Sequence, residues 1–131
     1  MKIFDNVDGF EGRVNFVDEC NVVVGYETDQ QCFERSGWYI NDDAEPLMRV
    51  KSGVVAPPSY VPPVDGYAFD EFYVRTYVQH DDDDYAGGEV VFRLVHPTEP
   101  AMFLHLFNLH NGFYSHGFHF KSDKVNMKGA I

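Results

Sequence analysis

The sequence predicts a mainly β fold: an antiparallel sheet, folded as a small sandwich or an open barrel, with a long Pro-rich loop. Aromatic residues make up 16% of the 131 residues, with twelve Phe and eight Tyr, and such side chains favour a pleated, half-buried surface. Apolar residues also recur at every second position in several short stretches that turn residues separate. Because the length suits one core, we expect residues 1–131 to form a single β-rich domain.

Residues 12–28 predict the first β-hairpin. Apolar side chains alternate on both sides of a polar turn at 18–21, and they are Val14, Phe16, Val22, Val24 and Tyr26. A short strand or turn follows at 32–40, where Gly37 permits a bend before Trp38.

The segment 41–68 predicts the long loop. It contains five prolines, and proline removes backbone donors and prevents regular strand pairing. We therefore expect this segment to cross the domain in an extended form without regular structure.

Four further strands are predicted after the loop, at 69–79, 88–95, 101–109 and 113–120. An acidic turn that contains Asp81–Asp84 joins the first two, and residues 96–100 with two prolines join the next two. Four consecutive aspartates lack the alternating donors and terminal Glu of a helix–loop–helix calcium loop, so we interpret them as a solvated turn.

Asn111-Gly112 is the strongest hairpin signal in the chain, because a type I′ turn favours this pair. It predicts that strands 101–109 and 113–120 pair, which makes His105 and His116 diagonal neighbours on one face. One alternative is therefore a metal-binding protein or metal-dependent enzyme that uses this His hairpin. Two imidazoles do not complete a zinc site, however, and Glu89 could supply a third ligand only if its strand has the right register. The simpler interpretation is that both histidines are partly buried aromatic residues that bond water or backbone.

The formal charge of −11 is unevenly distributed along the chain. Residues 1–100 carry 20 acidic and 7 basic side chains, whereas 101–131 carry 1 and 3. This balance argues against direct binding of nucleic acid, because that affinity comes mainly from Lys and Arg on phosphate. The same charge balance is compatible with an acidic nucleic-acid mimic that inhibits a host defence enzyme. It is also compatible with an acidic surface that only keeps the protein soluble.

The sequence contains few indications of catalysis or of a membrane. Motifs for a serine nucleophile, a zinc protease or a phosphate-binding loop are absent, and no cofactor is predicted. Cys20 and Cys32 do not form a Cys-x-x-Cys pair, so we expect reduced thiols. No stretch approaches the about eighteen apolar residues of a membrane span, and a cytoplasmic location is expected.

Two segments carry a resemblance to a known family. They are residues 30–34, Gln-Gln-Cys-Phe-Glu, and residues 111–115, Asn-Gly-Phe-Tyr-Ser. Both resemble segments of a family of small uncharacterised bacterial and phage proteins. In that family the corresponding segments are Gln-Asp-Cys-Cys-Glu-like and Asn-Gly-Tyr-Tyr-Ser-like. This chain has Gln31 in place of the Asp and Phe33 in place of the second Cys. The resemblance implies a β-rich fold and a bacterial or phage source.

The sequence therefore favours a small non-catalytic binding protein that acts on a protein partner or a small ligand. Exposed aromatic residues supply contact area at low entropic cost, and the predicted binding residues are Trp38, Tyr39, Tyr73, His105, Tyr114 and His116. The last strands carry apolar side chains on both faces, so something must cover the second face. The Pro-rich segment 54–68 could do so, and a homodimer is the alternative that we favour.

Overall fold

Nine β-strands in two antiparallel sheets make up the regular structure. A computed structural model describes residues 1–29, 35–46, 60–80, 86–110 and 115–131. The strands are β1 Lys2–Asp5, β2 Arg13–Val17, β3 Val23–Glu27, β4 Arg35–Asn41, β5 Ala68–His80, β6 Ala86–Val95, β7 Met102–His110, β8 Gly117–Lys121 and β9 Asn126–Ala130.

The two sheets form a small β-sandwich. The first sheet has the strand order β1-β2-β3-β8-β9, and the second has the order β4-β7-β6-β5. The described ranges contain no helix, and none of them could therefore provide a helix long and apolar enough to cross a membrane. The predicted mainly β, antiparallel fold is confirmed, in its sandwich form.

The core lies between the sheets and is built from alternate residues of each strand. The first sheet contributes Phe16 and Phe120, and the second contributes Phe92 and Leu104, all fully buried. The rings of Phe92 and Phe120 meet edge to face with centroids 5.2 Å apart, a geometry that adds to the burial of their apolar area. Period-two alternation in the sequence thus reflects the two faces of each strand.

The hairpin predicted at 12–28 is confirmed. Strands β2 and β3 pair with Phe16 opposite Val24, and Asp18 organises the turn between them. Its Oδ1 accepts hydrogen bonds from the backbone N–H groups of Cys20 and Val22, both at 2.9 Å. Its Oδ2 accepts the N–H of Phe69 at 2.9 Å, so this buried carboxylate joins the two sheets.

Strands β5, β6 and β7 correspond to three of the predicted strands, and they form a meander in the second sheet. The β5–β6 register shifts between Phe69 and Val74, which marks a bulge in β5. In the β6–β7 turn, Nδ1 of His96 accepts the backbone N–H groups of Thr98 and Glu99 at 3.1 and 3.0 Å.

The predicted pairing of the last two aromatic strands is wrong. Strand β7 lies between β4 and β6, so both of its edges already have partners, whereas β8 lies between β3 and β9 in the other sheet. His105 and His116 are therefore not diagonal neighbours on one face. The Asn111-Gly112 turn itself lies outside the described residues.

Strands β1 and β9 were not predicted. Each forms an edge of the first sheet, and their side chains are mostly exposed or half-buried. Within the predicted loop, residues 60–67 form no strand, and Tyr67 anchors this part by donating from its hydroxyl to the carbonyl of Pro100 at 2.8 Å. Residues 47–59 and Asp81–Asp84 are outside the described ranges.

Candidate binding surface

The outer face of the second sheet carries the polar, titratable and aromatic side chains of β4, β6 and β7 that do not belong to the core. In β4, β7 and β6 the residues that alternate with the core residues include Tyr39, His105 and Glu89. Tyr39 lies directly opposite His105, and Val91 lies opposite His105 on the other side. Because Glu89 is two residues from Val91, its side chain is a diagonal neighbour of His105 on the same face.

These three side chains form a hydrogen-bonded network around one carboxylate oxygen. The hydroxyl of Tyr39 donates to Oε2 of Glu89 at 2.9 Å, and Nδ1 of His105 lies 2.8 Å from the same oxygen. The rings of Tyr39 and His105 stack with centroids 4.2 Å apart and planes 11° apart. The antiparallel register explains this stacking, because it places the two rings side by side.

The second nitrogen of His105 also faces oxygen. Nε2 lies 2.8 Å from the backbone carbonyl of Asp43 and 2.9 Å from Oδ1 of Asn41. A carbonyl only accepts, so Nε2 carries a hydrogen. The short contact between Nδ1 and Glu89 then requires a second hydrogen, which His105 and Glu89 share.

The network is closed to solvent. The exposed fractions are 2% for Tyr39, 1% for Glu89 and 0% for His105, and Oε1 of Glu89 has no hydrogen-bond partner within the described part of the chain. A buried polar group is costly unless it is hydrogen-bonded. We therefore interpret the network as a device that fixes β4, β6 and β7 and the segment after Asn41, and not as a contact surface.

The same face becomes open toward the β5 edge. There Tyr73 lies between two guanidinium groups, with Arg75 4.7 Å and Arg93 5.6 Å from the centre of its ring, and the ring of Phe103 is 5.8 Å away. We call these four residues the Tyr73 cluster. Arg75 is exposed and Arg93 half-buried, and Arg93 also pairs with Asp70 at 3.2 Å.

Phe72, the residue that precedes Tyr73, protrudes into solvent. Its exposed fraction is 91%, and it lies in the bulged part of β5. Its backbone N–H donates to Oδ1 of Asp70 at 3.0 Å, which helps to fix the bulge. Among the exposed large apolar side chains of the described residues, Phe72 has the highest exposed fraction, followed by Tyr60 at 70%.

Of the sequence-predicted binding residues, the structure brings together Tyr39 and His105, which stack on each other, but places Trp38 and His116 elsewhere. Trp38 is half-buried and packs edge to face on Phe16, with centroids 5.0 Å apart. His116 is buried, and its Nδ1–H donates to the carbonyl of Glu27 at 2.6 Å. Tyr39, His105 and His116 are each buried, which agrees with the simpler interpretation of both histidines and leaves none of the three side chains as an exposed contact.

Of the remaining predicted residues, Tyr73 belongs to the Tyr73 cluster, and Tyr114 lies outside the described residues. Sequence reasoning missed Phe72, Arg75, Arg93 and Phe103. A signal was present at 72–73, where two successive aromatic residues in a strand must point to opposite faces. Only the bulge, which the pattern does not reveal, explains why Phe72 reaches solvent.

The metal hypothesis has no geometric support in the described ranges. Glu89 does reach His105, as that hypothesis required, but His116 belongs to the other sheet. Across the residues that the structure describes, no group of three or more His, Cys, Asp or Glu side chains could hold a metal ion. Cys20 is an exposed free thiol, and Cys32 is not among the described residues.

Comparisons with protein-family models, with curated proteins and with solved structures find no match for this chain.

Proposed function

We propose that the chain is a small non-catalytic binding protein that binds a protein partner through Phe72 and the Tyr73 cluster, in the cytoplasm of a bacterial or phage-infected cell. The observation that carries this proposal is the exposed guanidinium of Arg75 stacked on Tyr73, with a phenylalanine that is 91% exposed at the preceding position of the chain. Tyr and Arg are enriched among the residues that dominate binding energy at protein interfaces.

Charge indicates what kind of partner would fit. The chain has a net charge of −11, yet this part of its surface presents two arginines. Arg93 already pairs with Asp70, whereas the described contacts of Arg75 are the Tyr73 ring and the carbonyl of Val74. A guanidinium has five donors, so Arg75 can bind a carboxylate of the partner while Phe72 enters an apolar pocket.

The experiment compares variants in a pull-down from bacterial lysate. The test variants are Phe72→Ser and Arg75→Glu, and the controls are Val61→Ser and Lys128→Glu, which make the same kinds of change at Val61, 44% exposed, and at Lys128 in β9. We expect a partner that wild type and both controls retain and both test variants lose. Equal retention by all five proteins would exclude this surface. Unchanged urea midpoints show that the variants are folded.

The nucleic-acid mimic has less support as an alternative. Such a mimic needs one contiguous acidic stripe, but exposed carboxylates of the described residues lie near both ends of the sandwich. Asp5, Asp8, Glu11 and Asp29 are at one end, and Glu19, Asp65 and Glu99 are at the other. This distribution suits a surface that keeps the protein soluble.

A further inference from the structure

The outer face of the first sheet is basic, although the chain as a whole has a net charge of −11. In the five strands of this sheet, the residues that alternate with the core residues point away from the second sheet. Four of them are cations, Lys2 of β1, Arg13 of β2, Lys121 of β8 and Lys128 of β9, and we call these four residues the basic face. Glu27 is the one carboxylate among the outward positions of these strands.

The cations of the basic face are not neutralised by neighbouring carboxylates. The ion pairs that the described ranges contain lie on the other sheet. Glu27 lies opposite Arg13 in the register, but its Oε2 accepts the backbone N–H of Gly117 at 3.0 Å. The three lysines are exposed and Arg13 is half-buried, so these charges are available to an anion.

Gly25 explains the position of Arg13. This glycine lies on β3 at the centre of the face, with Asn15 of β2 opposite it on one side and His119 of β8 on the other. A Cβ at Gly25 would lie 2.9 Å from a guanidinium nitrogen of Arg13 and from Oδ1 of Asn15. Because no side chain occupies that space, the guanidinium lies over the centre of the sheet, where a ligand that contacts the lysines of β8 and β9 also reaches it.

We propose that the basic face binds a short acidic segment of a protein, an extended stretch rich in Asp and Glu. Five adjacent strands about 4.8 Å apart make the face roughly 19 Å wide, which is the length of about six extended residues. Each cation can bind one carboxylate, and the arginine can do so through two parallel hydrogen bonds. Exposed ion pairs are individually weak, so the affinity comes from several carboxylates on one segment.

A nucleic acid fits this face less well. Exposed carboxylates flank it at both ends of the sandwich, among them Asp8 and Glu11 at one end and Glu19 at the other, and they repel a longer polyanion. Stacking of unpaired bases needs aromatic side chains. Phe4, on the edge strand β1, is the one Phe, Tyr or Trp among the outward positions of these strands.

This surface goes beyond the proposed function and does not depend on it. The basic face belongs to the first sheet and the Tyr73 cluster to the second, so the two surfaces lie on opposite outer faces of the sandwich. The pull-down reads the Tyr73 cluster and the experiments below read the basic face, so each proposal can fail alone. Lys128→Glu separates them directly, because it keeps the partner of the Tyr73 cluster and weakens binding of an acidic segment.

Fluorescence anisotropy tests the proposal with a labelled peptide of about six glutamates, in about 150 mM salt, at which exposed charges more than about 8 Å apart are largely screened. The test variants are Lys121→Glu and Lys128→Glu. The control is Arg35→Glu, the same reversal of charge at an exposed residue of β4 in the other sheet. We expect each test variant to weaken binding by at least about fivefold, because it replaces an attraction with a repulsion, and the control to keep the wild-type affinity.

Several results of this experiment would overturn the proposal. If wild type does not bind the peptide, the basic face has no such ligand. If Arg35→Glu loses as much affinity as the test variants, only the net charge matters. If an oligothymidylate of the same length binds more tightly than the peptide, the face belongs to a nucleic acid. Unchanged urea midpoints show that the variants are folded.

NMR on wild-type protein locates the bound peptide without any variant. The amide signals of Gly25, Gly117 and His119, which lie on the middle strands of the face, should shift as the glutamate peptide is added. Those of Tyr73 and Arg75 should not. Shifts confined to the Tyr73 cluster would place the peptide on the other sheet and contradict the proposal.

Discussion

Nδ1 of His105 and Oε2 of Glu89 lie 2.8 Å apart at a place in the sheet where neither side chain is more than 1% exposed. Their neighbours complete the arrangement: the hydroxyl of Tyr39 donates to the same oxygen, and the carbonyl of Asp43 accepts the other imidazole N–H. Removing one member of such a pair leaves the other buried without its main partner.

We therefore predict that His105→Leu destabilises the protein by about 3–5 kcal/mol. The double variant His105→Leu/Glu89→Leu should be less destabilised than the sum of the two single variants, because replacing both members by apolar groups avoids a lone buried charge. Urea denaturation of the four proteins measures this coupling. Strictly additive changes would mean that the two side chains do not share a proton or an ion pair.

Asp18 gives a second prediction. Its carboxylate accepts three backbone hydrogen bonds, so Asp18→Ala leaves three donors without this acceptor, two of them in the turn and one in β5. Since an unsatisfied buried donor costs about 1–3 kcal/mol, we expect a total loss of about 3 kcal/mol or more in the free energy of unfolding. The neighbouring Glu19→Ala is the control, because Glu19 is exposed, and a similar loss there would contradict the assignment.

Gly87 gives a third prediction. Its φ is +130°, and a Cβ at this position would collide with the backbone carbonyl oxygen of Asn108 on β7. Gly87→Ala should therefore cost more than about 3 kcal/mol in the free energy of unfolding, from backbone strain and from the clash. Gly9 is the control that separates strain from clash, because its φ is +86° and a methyl group there would meet no described atom within 4 Å apart from its chain neighbours. Gly9→Ala should cost about 1 kcal/mol, and equal losses at both glycines in urea denaturation would mean that the clash has no effect.

Glu11 gives a prediction about pH. Its own backbone N–H and that of Gly9 hold the pKa of its carboxyl below the usual value of 4.5, because both hydrogen bonds favour the charged form. The charged form therefore stabilises this turn above the ordinary pKa, and the stabilisation is lost as pH falls through the lowered one. An NMR titration of the Glu11 side chain in folded and in urea-unfolded protein measures the difference. A higher pKa in the folded protein would contradict it.

The strands with strict alternation could be predicted from the sequence, because a strand with one buried face must repeat with period two. The pair Phe16 and Val24 is an example, since both their face and their hairpin were predictable from local residues. The separation of β7 and β8 into different sheets was not predictable in this way. Asn111-Gly112 is a local signal, and it does not indicate whether the strands on either side of it remain in one sheet.

The candidate surface could be predicted only in part. Tyr73 was identified by residue type, but its neighbours Arg93 and Phe103 come from β6 and β7, and strand register across a sheet is not readable from one sequence. The same limit applies to His105. The sequence could name Glu89 as a candidate neighbour, but only the register shows that the two side chains meet and that both are buried.

The position of β3 in the first sheet has a consequence for how the chain folds during synthesis. One neighbour of β3 is β2, which immediately precedes it, but the other is β8, near the opposite end of the sequence. As the ribosome releases the chain from its N-terminus, β1, β2 and β3 can form a meander early, yet β3 keeps an unpaired edge until β8 has emerged. Closure of so long a loop is slow. We expect the nascent chain to depend on chaperones more during that interval than during any later step of folding.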